Sequence, residues 1–320
     1  MNPDSQDIAV RAPARHAPRP ILLLLLIVLG TLWGLHIVFA KAIGAEGVRE
    51  AVAMLALYVW SSAIVLIGVA WLRGRAFRPD LPVIRYFIIS SALGYLGPIF
   101  FELFVAPNID ASLFALIVGA SPLATVCIAA ATGRDRLSGT LIAALAAGSA
   151  AALMLLGPAA LGGSAPIFWV AIAFAVPFLY GAGDVYIEAK WPRELDVLQV
   201  AAGECATASL WVALFALGAG VGPPQMIDIA LDAGWPAAGL IATSLTATWL
   251  YFSLLGRVGA IFVSFGSYVT IATGVTAGVL IFGERLGPAL LLAGALTAFA
   301  LWLLNRDRVR AAETAGGAAE

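Results

Sequence analysis

The chain has 320 residues, 62% hydrophobic and only 12% charged, with a mean hydropathy of +0.97 and a formal net charge of −1. A soluble globular domain lies nearer half apolar and a quarter charged, so this composition excludes one and predicts a chain solvated mainly by lipid. The net charge identifies no partner, and no nucleic acid is expected. The two cysteines, Cys127 and Cys205, fall inside apolar runs and read as packing residues rather than a disulfide or a metal pair.

Residues 1–19 are polar and rich in Pro, Ala and Arg, the composition of a disordered tail. Arg11, Arg15 and Arg19 precede ILLLLLIVLG, which imitates the basic and apolar regions of a signal peptide. The apolar run continues through Leu35 to Ala40 and no small-x-small site closes it, so a retained first helix is predicted. Ten apolar spans follow, at 21–43, 51–72, 84–106, 111–132, 139–157, 166–189, 198–220, 235–255, 260–282 and 287–304. At about 1.5 Å per residue, spans of this size cross a bilayer core of roughly 30 Å. Residues 305–320 are charged, then Ala/Gly-rich, without periodicity, and read as a second disordered tail.

If residue 1 is cytoplasmic, the inner segments hold fifteen of the 18 Lys and Arg residues, and the outer ones only Lys41, Arg49 and Arg285. That asymmetry predicts ten spans with both termini inside. The ninth span begins at Ala260 and ends in Phe282-Gly283-Glu284-Arg285-Leu286. A shift of 149 positions relates it to Ala111–Leu137, which ends in Asp135-Arg136-Leu137. The same shift carries GLHIVFAK, from Gly34 to Lys41, onto GDVYIEAK, from Gly183 to Lys190. One gap-free offset across three landmarks is the mark of a duplicated unit. Each unit has five spans, an odd number, so the copies enter the membrane from opposite sides. The predicted fold is an all-α polytopic membrane protein of ten transmembrane helices in two inverted five-helix repeats, 20–157 and 158–304, an architecture common among secondary transporters.

Several motifs fit one known family. They are Leu32-Trp33-Gly34 in span 1, Ser121-Pro122 in span 4, Tyr251 in span 8, Arg257-Val258-Gly259-Ala260 before span 9, and Phe282-Gly283-Glu284-Arg285-Leu286 followed by Gly294. On these the chain resembles the drug/metabolite transporter superfamily, in its ten-helix EamA-type branch, over about residues 21 to 304. It departs where Asp135 replaces the usual glutamate, Arg134 the preceding glycine, and where Ile271 stands opposite Pro122. The resemblance implies a bacterial inner (plasma) membrane exporter of a small metabolite, in which spans 1–4 rock against spans 6–9.

Ionisable groups inside spans are the sharpest clues, since each costs at least ~2.5–3.5 kcal/mol near the bilayer centre. Asp184 follows Tyr180-Gly181-Ala182-Gly183 in span 6, and Glu188 is one turn on, on the same helix face. Like charges at that spacing repel, which marks a proton-coupling or cation-binding element. The alternative for Glu188 is an interfacial pairing with Lys190 or Arg193. Glu102 follows Pro98 by one turn, where the proline frees the Gly94 carbonyl and a kink is expected. It is ~6 Å from the outer end of its span by helix rise, so vestibule and interface are both open to it. Glu204 starts span 7 and reads as an interfacial carboxylate at a helix N-terminus. His36 is the one histidine in a span, and can serve either as a satisfied packing group or as a relay titrating near neutrality.

Trp33, Tyr180, Trp249 and Tyr251 are candidate aromatic walls for an organic cation. Ser264, Ser267 and Tyr268 follow i, i+3, i+4 spacing and predict one polar stripe on span 9, answered across the repeat axis by Ser121, with Thr270 as the repeat-equivalent of Ser121. Packing is the competing account of each. Ala144, Gly148 and Ala152 form a small-xxx-small ridge, and the two charged hairpins read as helix caps that pair locally. Gly-x-Gly-Asp also occurs in intramembrane aspartyl proteases, which need a second aspartate that no other span supplies. No phosphate loop, His-Glu-x-x-His or Cys-x-x-Cys is present. The expectation is a non-enzymatic transporter without metal or cofactor, monomeric or homodimeric, its partners the lipid bilayer and a small-molecule substrate such as an amino acid, amine or drug-like compound. Proton coupling through Asp184 and Glu188 is the expected drive. The alternatives are an importer of the same classes, an intramembrane enzyme or a membrane receptor.

Overall fold

The computed structural model describes residues 20–44, 47–75, 78–134, 138–160, 167–259 and 263–317. Among them there is no strand. Helices α1 (Pro20–Ile43) and α2 (Val48–Leu72) cover the first two spans. The third is divided into α3 (Leu81–Ser90), a π-helical turn at Ser91–Leu96 and α4 (Gly97–Val105), closing in a 3-10 turn at Ala106–Asn108. Helices α5 (Ala111–Val118) and α6 (Ser121–Ala131) divide the fourth, and α7 (Gly139–Ala160) is the fifth. The second half contains α8 (Ile167–Ala173), α9 (Ala175–Lys190), α10 (Val197–Ala219), α11 (Pro223–Ala233), α12 (Trp235–Val258), α13 (Gly266–Phe282) and α14 (Pro288–Gly317).

Among the described residues, seven segments are long and apolar enough to cross a membrane, and shorter apolar helices lie at Ile142–Ala151, Gly266–Phe282 and Pro288–Leu303. The outer surface agrees with a lipid solvent. Ile64, Trp71, Leu72, Leu210, Leu217 and Leu280 all point outward, a density of exposed apolar groups that water would penalise. The chain is a multi-pass helical membrane protein.

Local chemistry sets the helix ends. Asp80 accepts from Val83 N at 3.0 Å to start α3. Asp196 and Gln199 start α10 with reciprocal bonds of 2.9 Å, a capping box that satisfies otherwise orphaned donors. Gly283 ends α13 in the left-handed conformation (φ +65°), which reverses the chain and aims Glu284 back at the bundle. The kink expected at Pro98 is accommodated one turn earlier. Gly97 N donates to Ala92 O, five residues back, so the π turn accommodates the missing proline donor.

Two central helices organise the packing: α1 lies against α12 and α13, and α9 against α6, α4 and the π turn. Helix α2 packs along α10, while α7 and α14 pair at the side. Glycines allow the tightest crossing. A Cβ on Gly183 of α9 would sit 2.2 Å from Gly94 Cα in the π turn, so only hydrogen fits there.

Three sequence expectations change. The segment between spans seven and eight contains α11, whose Met226 is buried and which packs on α2. Residues 305–317 are helical rather than an aperiodic tail, because Ala-, Arg- and Glu-rich sequence readily extends a helix that α14 has already nucleated. The span 9 stripe is interrupted by a turn at Phe265, so Ser264 does not share a continuous helix with Ser267 and Tyr268. The tail at 1–19 and Asp135-Arg136-Leu137 lie outside the described residues, as does the side chain of Ala152. Ala144 is fully buried, and a Cβ on Gly148 would meet Leu123 Cδ1 at 2.4 Å, as close packing of the ridge requires.

Candidate functional site

The crossing of α9 over the π turn brings buried polar groups from five helices together. Glu102 on α4 is 5% exposed and accepts from Tyr180 Oη of α9 at 3.0 Å. His36 of α1 approaches the other oxygen, Nδ1 to Oε2, at 3.7 Å. The His36 ring rests on Tyr58 of α2 at a centroid distance of 4.7 Å, and its Nε2 is buried with no hydrogen-bond partner among the described residues. One turn along α9, Asp184 is 7% exposed and accepts from Tyr251 Oη of α12 at 2.6 Å. Trp33 is half-buried, with its ring 6.1 Å from that of Tyr251. Thus Trp33, His36, Glu102, Tyr180, Asp184 and Tyr251 form one neighbourhood.

The other sequence candidates lie elsewhere. Trp249 is 46% exposed on the apolar exterior, because a residue two positions from Tyr251 faces the other side of α12. Glu188 is exposed near the end of α9, so the expected Asp184–Glu188 element is one buried carboxylate and one solvated one. Ser121 is buried, but its hydroxyl donates to Val118 O and closes the turn between α5 and α6. Ser264 and Ser267 are buried, and Tyr268 packs into a small apolar cluster with Leu123, Val126 and Leu301. Thr270 Oγ1 donates to Gly30 O at 3.2 Å, joining α13 to α1.

Sequence reasoning missed several participants. Tyr95 of the π turn shares a hydrogen bond of 3.2 Å with Thr248, and its ring is 5.9 Å from Tyr58. Glu204, read as interfacial, is fully buried because α3, the π turn, α2 and α12 cover that face of α10. The signal was available: the chain has seven tyrosines, and all seven fall inside apolar spans rather than beside them.

Glu284, read as a local cap partner of Arg285, instead reaches across the bundle. It accepts from Ala111 N at 2.7 Å, from Ser112 N at 2.9 Å and from Ser112 Oγ at 2.7 Å. Lys41 Nζ lies 3.2 Å from Oε1, the oxygen that also accepts from Ala111 N, and donates to Ile109 O at 2.7 Å. Burial alone would push the Glu284 carboxyl up. The Ser112 and Ala111 donors and the Lys41 ammonium outweigh it and hold the group below its ordinary 4.5. A carboxylate on the first turn of α5 also meets the positive end of that helix.

A hollow among the described residues is lined by none of these groups. It is a groove of about 640 Å³ on the apolar exterior between α2 and α10, lined by Trp60, Ile64, Trp71 and Ser209. In the carboxylate neighbourhood Glu102 and Asp184 are buried, while Trp33, Tyr180 and Tyr251 are half-buried. Among the described residues no three His, Cys, Asp or Glu side chains cluster in the manner of a metal site.

No family model and no curated protein matches the chain. A solved structure described only as "Crystal structure of protein" is similar in fold, with a TM-score of 0.61 over 90% of this chain and 97% of that one, at 18% identity. The class that fold and composition define is a helical, multi-pass membrane protein. Its neighbourhood of carboxylates and tyrosines defines the site.

Proposed function

We propose that the chain is a secondary active transporter that exports a small organic metabolite by alternating access. The observation that carries this reading is the position of Glu102 and Asp184. Each is held by a tyrosine from another helix, in the buried middle of a bundle whose exterior is apolar. Carboxylates retained at such a cost mark solute pathways and proton relays. Neither has a Lys or Arg within 4 Å among the described residues, which favours a cationic or zwitterionic amine over an anion.

Inverted five-helix repeats are supported by internal correspondence. Shifting α2 by 149 positions lands it on α10, and Trp60 Nε1 donates to the carbonyl of its own counterpart, Ser209, at 3.4 Å. The same shift exchanges the α1–α13 pairing for α9–α6, and the α1–α12 pairing for α9 against α4 and the π turn. These relations favour the resemblance to the drug/metabolite transporter superfamily, with a bacterial inner membrane and cytoplasmic termini as its corollaries.

The test is counterflow in proteoliposomes with labelled amino acids, polyamines and quaternary amines, with and without a pH gradient. Accumulation of one class is expected, and Asp184→Asn should keep exchange but lose its response to the gradient. Gradient-driven uptake by that variant would remove Asp184 from the coupling. Silence of the folded wild-type protein across the panel would count against transport of these classes.

A further inference from the structure

Glu204 lies two turns into α10, has no solvent exposure, and neither carboxyl oxygen has a hydrogen-bond partner among the described residues. The Tyr86 hydroxyl of α3, buried and within electrostatic reach, has no partner either. Ser90 lies alongside, but its hydroxyl donates to Tyr86 O at 2.7 Å. Two buried polar groups within electrostatic reach of each other, neither hydrogen-bonded among the described residues, are a cost that a purely structural arrangement would remove by pairing them or replacing them with apolar side chains.

The surroundings define what the group can take. Within electrostatic reach of it are Tyr86 from α3, Tyr186 from α9, Tyr251 from α12 and its own neighbour Cys205. The π turn contributes Tyr95, and α2 contributes Tyr58, both beside Cys205. None of these is a cation. The nearest basic group in the series is Arg85, exposed at the bundle end where α3 begins, and it acts on Tyr186 rather than on Glu204. Tyr186 in turn stacks on Tyr86 at 6.0 Å. Charge interactions link Arg85 to Tyr186, Tyr186 and Tyr86 to Glu204, and Glu204 to Tyr251, whose hydroxyl donates to Asp184 at 2.6 Å.

With no counter-ion and no hydrogen-bonded donor among the described residues, a charge on this carboxylate is left uncompensated. We infer that Glu204 is a proton-binding site, loaded from the Arg85 end of the bundle, that serves as the station before Asp184. The inference rests on the transporter reading for its role, but not for its existence. Loading forms one O–H bond on a Glu204 oxygen with a proton from solvent. Release breaks that bond and leaves a carboxylate, for which the free Tyr86 hydroxyl and a rotated Ser90 hydroxyl are the available donors.

Infrared difference spectroscopy of the full chain in lipid, taken from mildly acidic to mildly alkaline pH, tests this without any substrate. A protonated-carboxyl C=O band should vanish reversibly on alkalinisation, be missing in Glu204→Gln and persist in Asp184→Asn. Tyr86→Phe, which leaves Glu204 in place, should move the pH at which the band vanishes. The inference is overturned if Glu204→Gln retains the full band, if the band ignores pH, or if sodium but not choline removes it at fixed pH. Because no solute is added, failure of transport and failure of this site are separately visible.

Discussion

Glu284 and Glu204 are both glutamates enclosed by helices, and their surroundings are opposite. Glu284 has two backbone N–H donors, a hydroxyl and an ammonium around it, while Glu204 has no hydrogen-bond partner among the described residues. The first is an ionised clasp that joins the end of α13 to the starts of α5 and to α1. The second is uncompensated, and Asp184, with one tyrosine donor, stands between them. Donor count thus separates a carboxylate whose charge is compensated from ones left with few or no donors.

The largest predicted effect comes from breaking the clasp. Glu284→Ala leaves Lys41, Ser112 Oγ and two α5 N–H groups without their shared acceptor. The expected loss is about 3 kcal/mol, the low end for breaking a buried pair, since Lys41 keeps Asp110 at 3.9 Å. Unfolding in detergent measures it, and a loss under about 1 kcal/mol would reduce the clasp to an ordinary surface pair. Next is the crossing that positions the interior carboxylates. Gly183→Ala drives a methyl into the Gly94 backbone, which cannot rotate away, and should cost ~1–3 kcal/mol. Gly218→Ala, also on a helix but with open space around it, is the control and should be neutral or slightly stabilising. Equal effects at the two glycines would mean that helix propensity, not the crossing, decides.

The elements of the fold are legible in the sequence because apolar runs are punctuated by residues with one structural use. Asp80 and Asp196 cap, Gly220 and Gly283 turn left-handed, and Pro98 follows the π turn. Helix α11 is not legible that way, being short, mixed in polarity and stabilised by packing on α2 from far away in sequence. The site divides along the same line. Asp184 and Glu102 stand out because a charge in an apolar run has a known cost. Glu204 sits close enough to a span end to pass as interfacial, and only the cover supplied by α3, the π turn, α2 and α12 makes it buried. For Glu284 the sequence neighbour Arg285 is a plausible partner, while the real ones are more than 170 positions away.

The smallest effect is a pH dependence confined to the clasp. Glu284 titrates below its ordinary value, so the unfolded chain binds its proton at higher pH than the folded one does. Its stabilisation is therefore complete above the ordinary 4.5 and is lost only as pH falls through the lower folded value. Hydrogen exchange at Ala111 and Ser112, corrected for the intrinsic rate, should show constant protection from neutrality down to about pH 5 and a decline below the ordinary carboxylate range. In Glu284→Gln the same amides should start less protected and show no such decline. Protection lost well above that range, or an identical profile in the variant, would mean that Lys41 and the α5 amides are held by packing and not by the carboxylate. Constant protection near neutrality combined with a Glu204 band that changes there would assign the two ends of the bundle to different work, closure at Glu284 and proton exchange at Glu204.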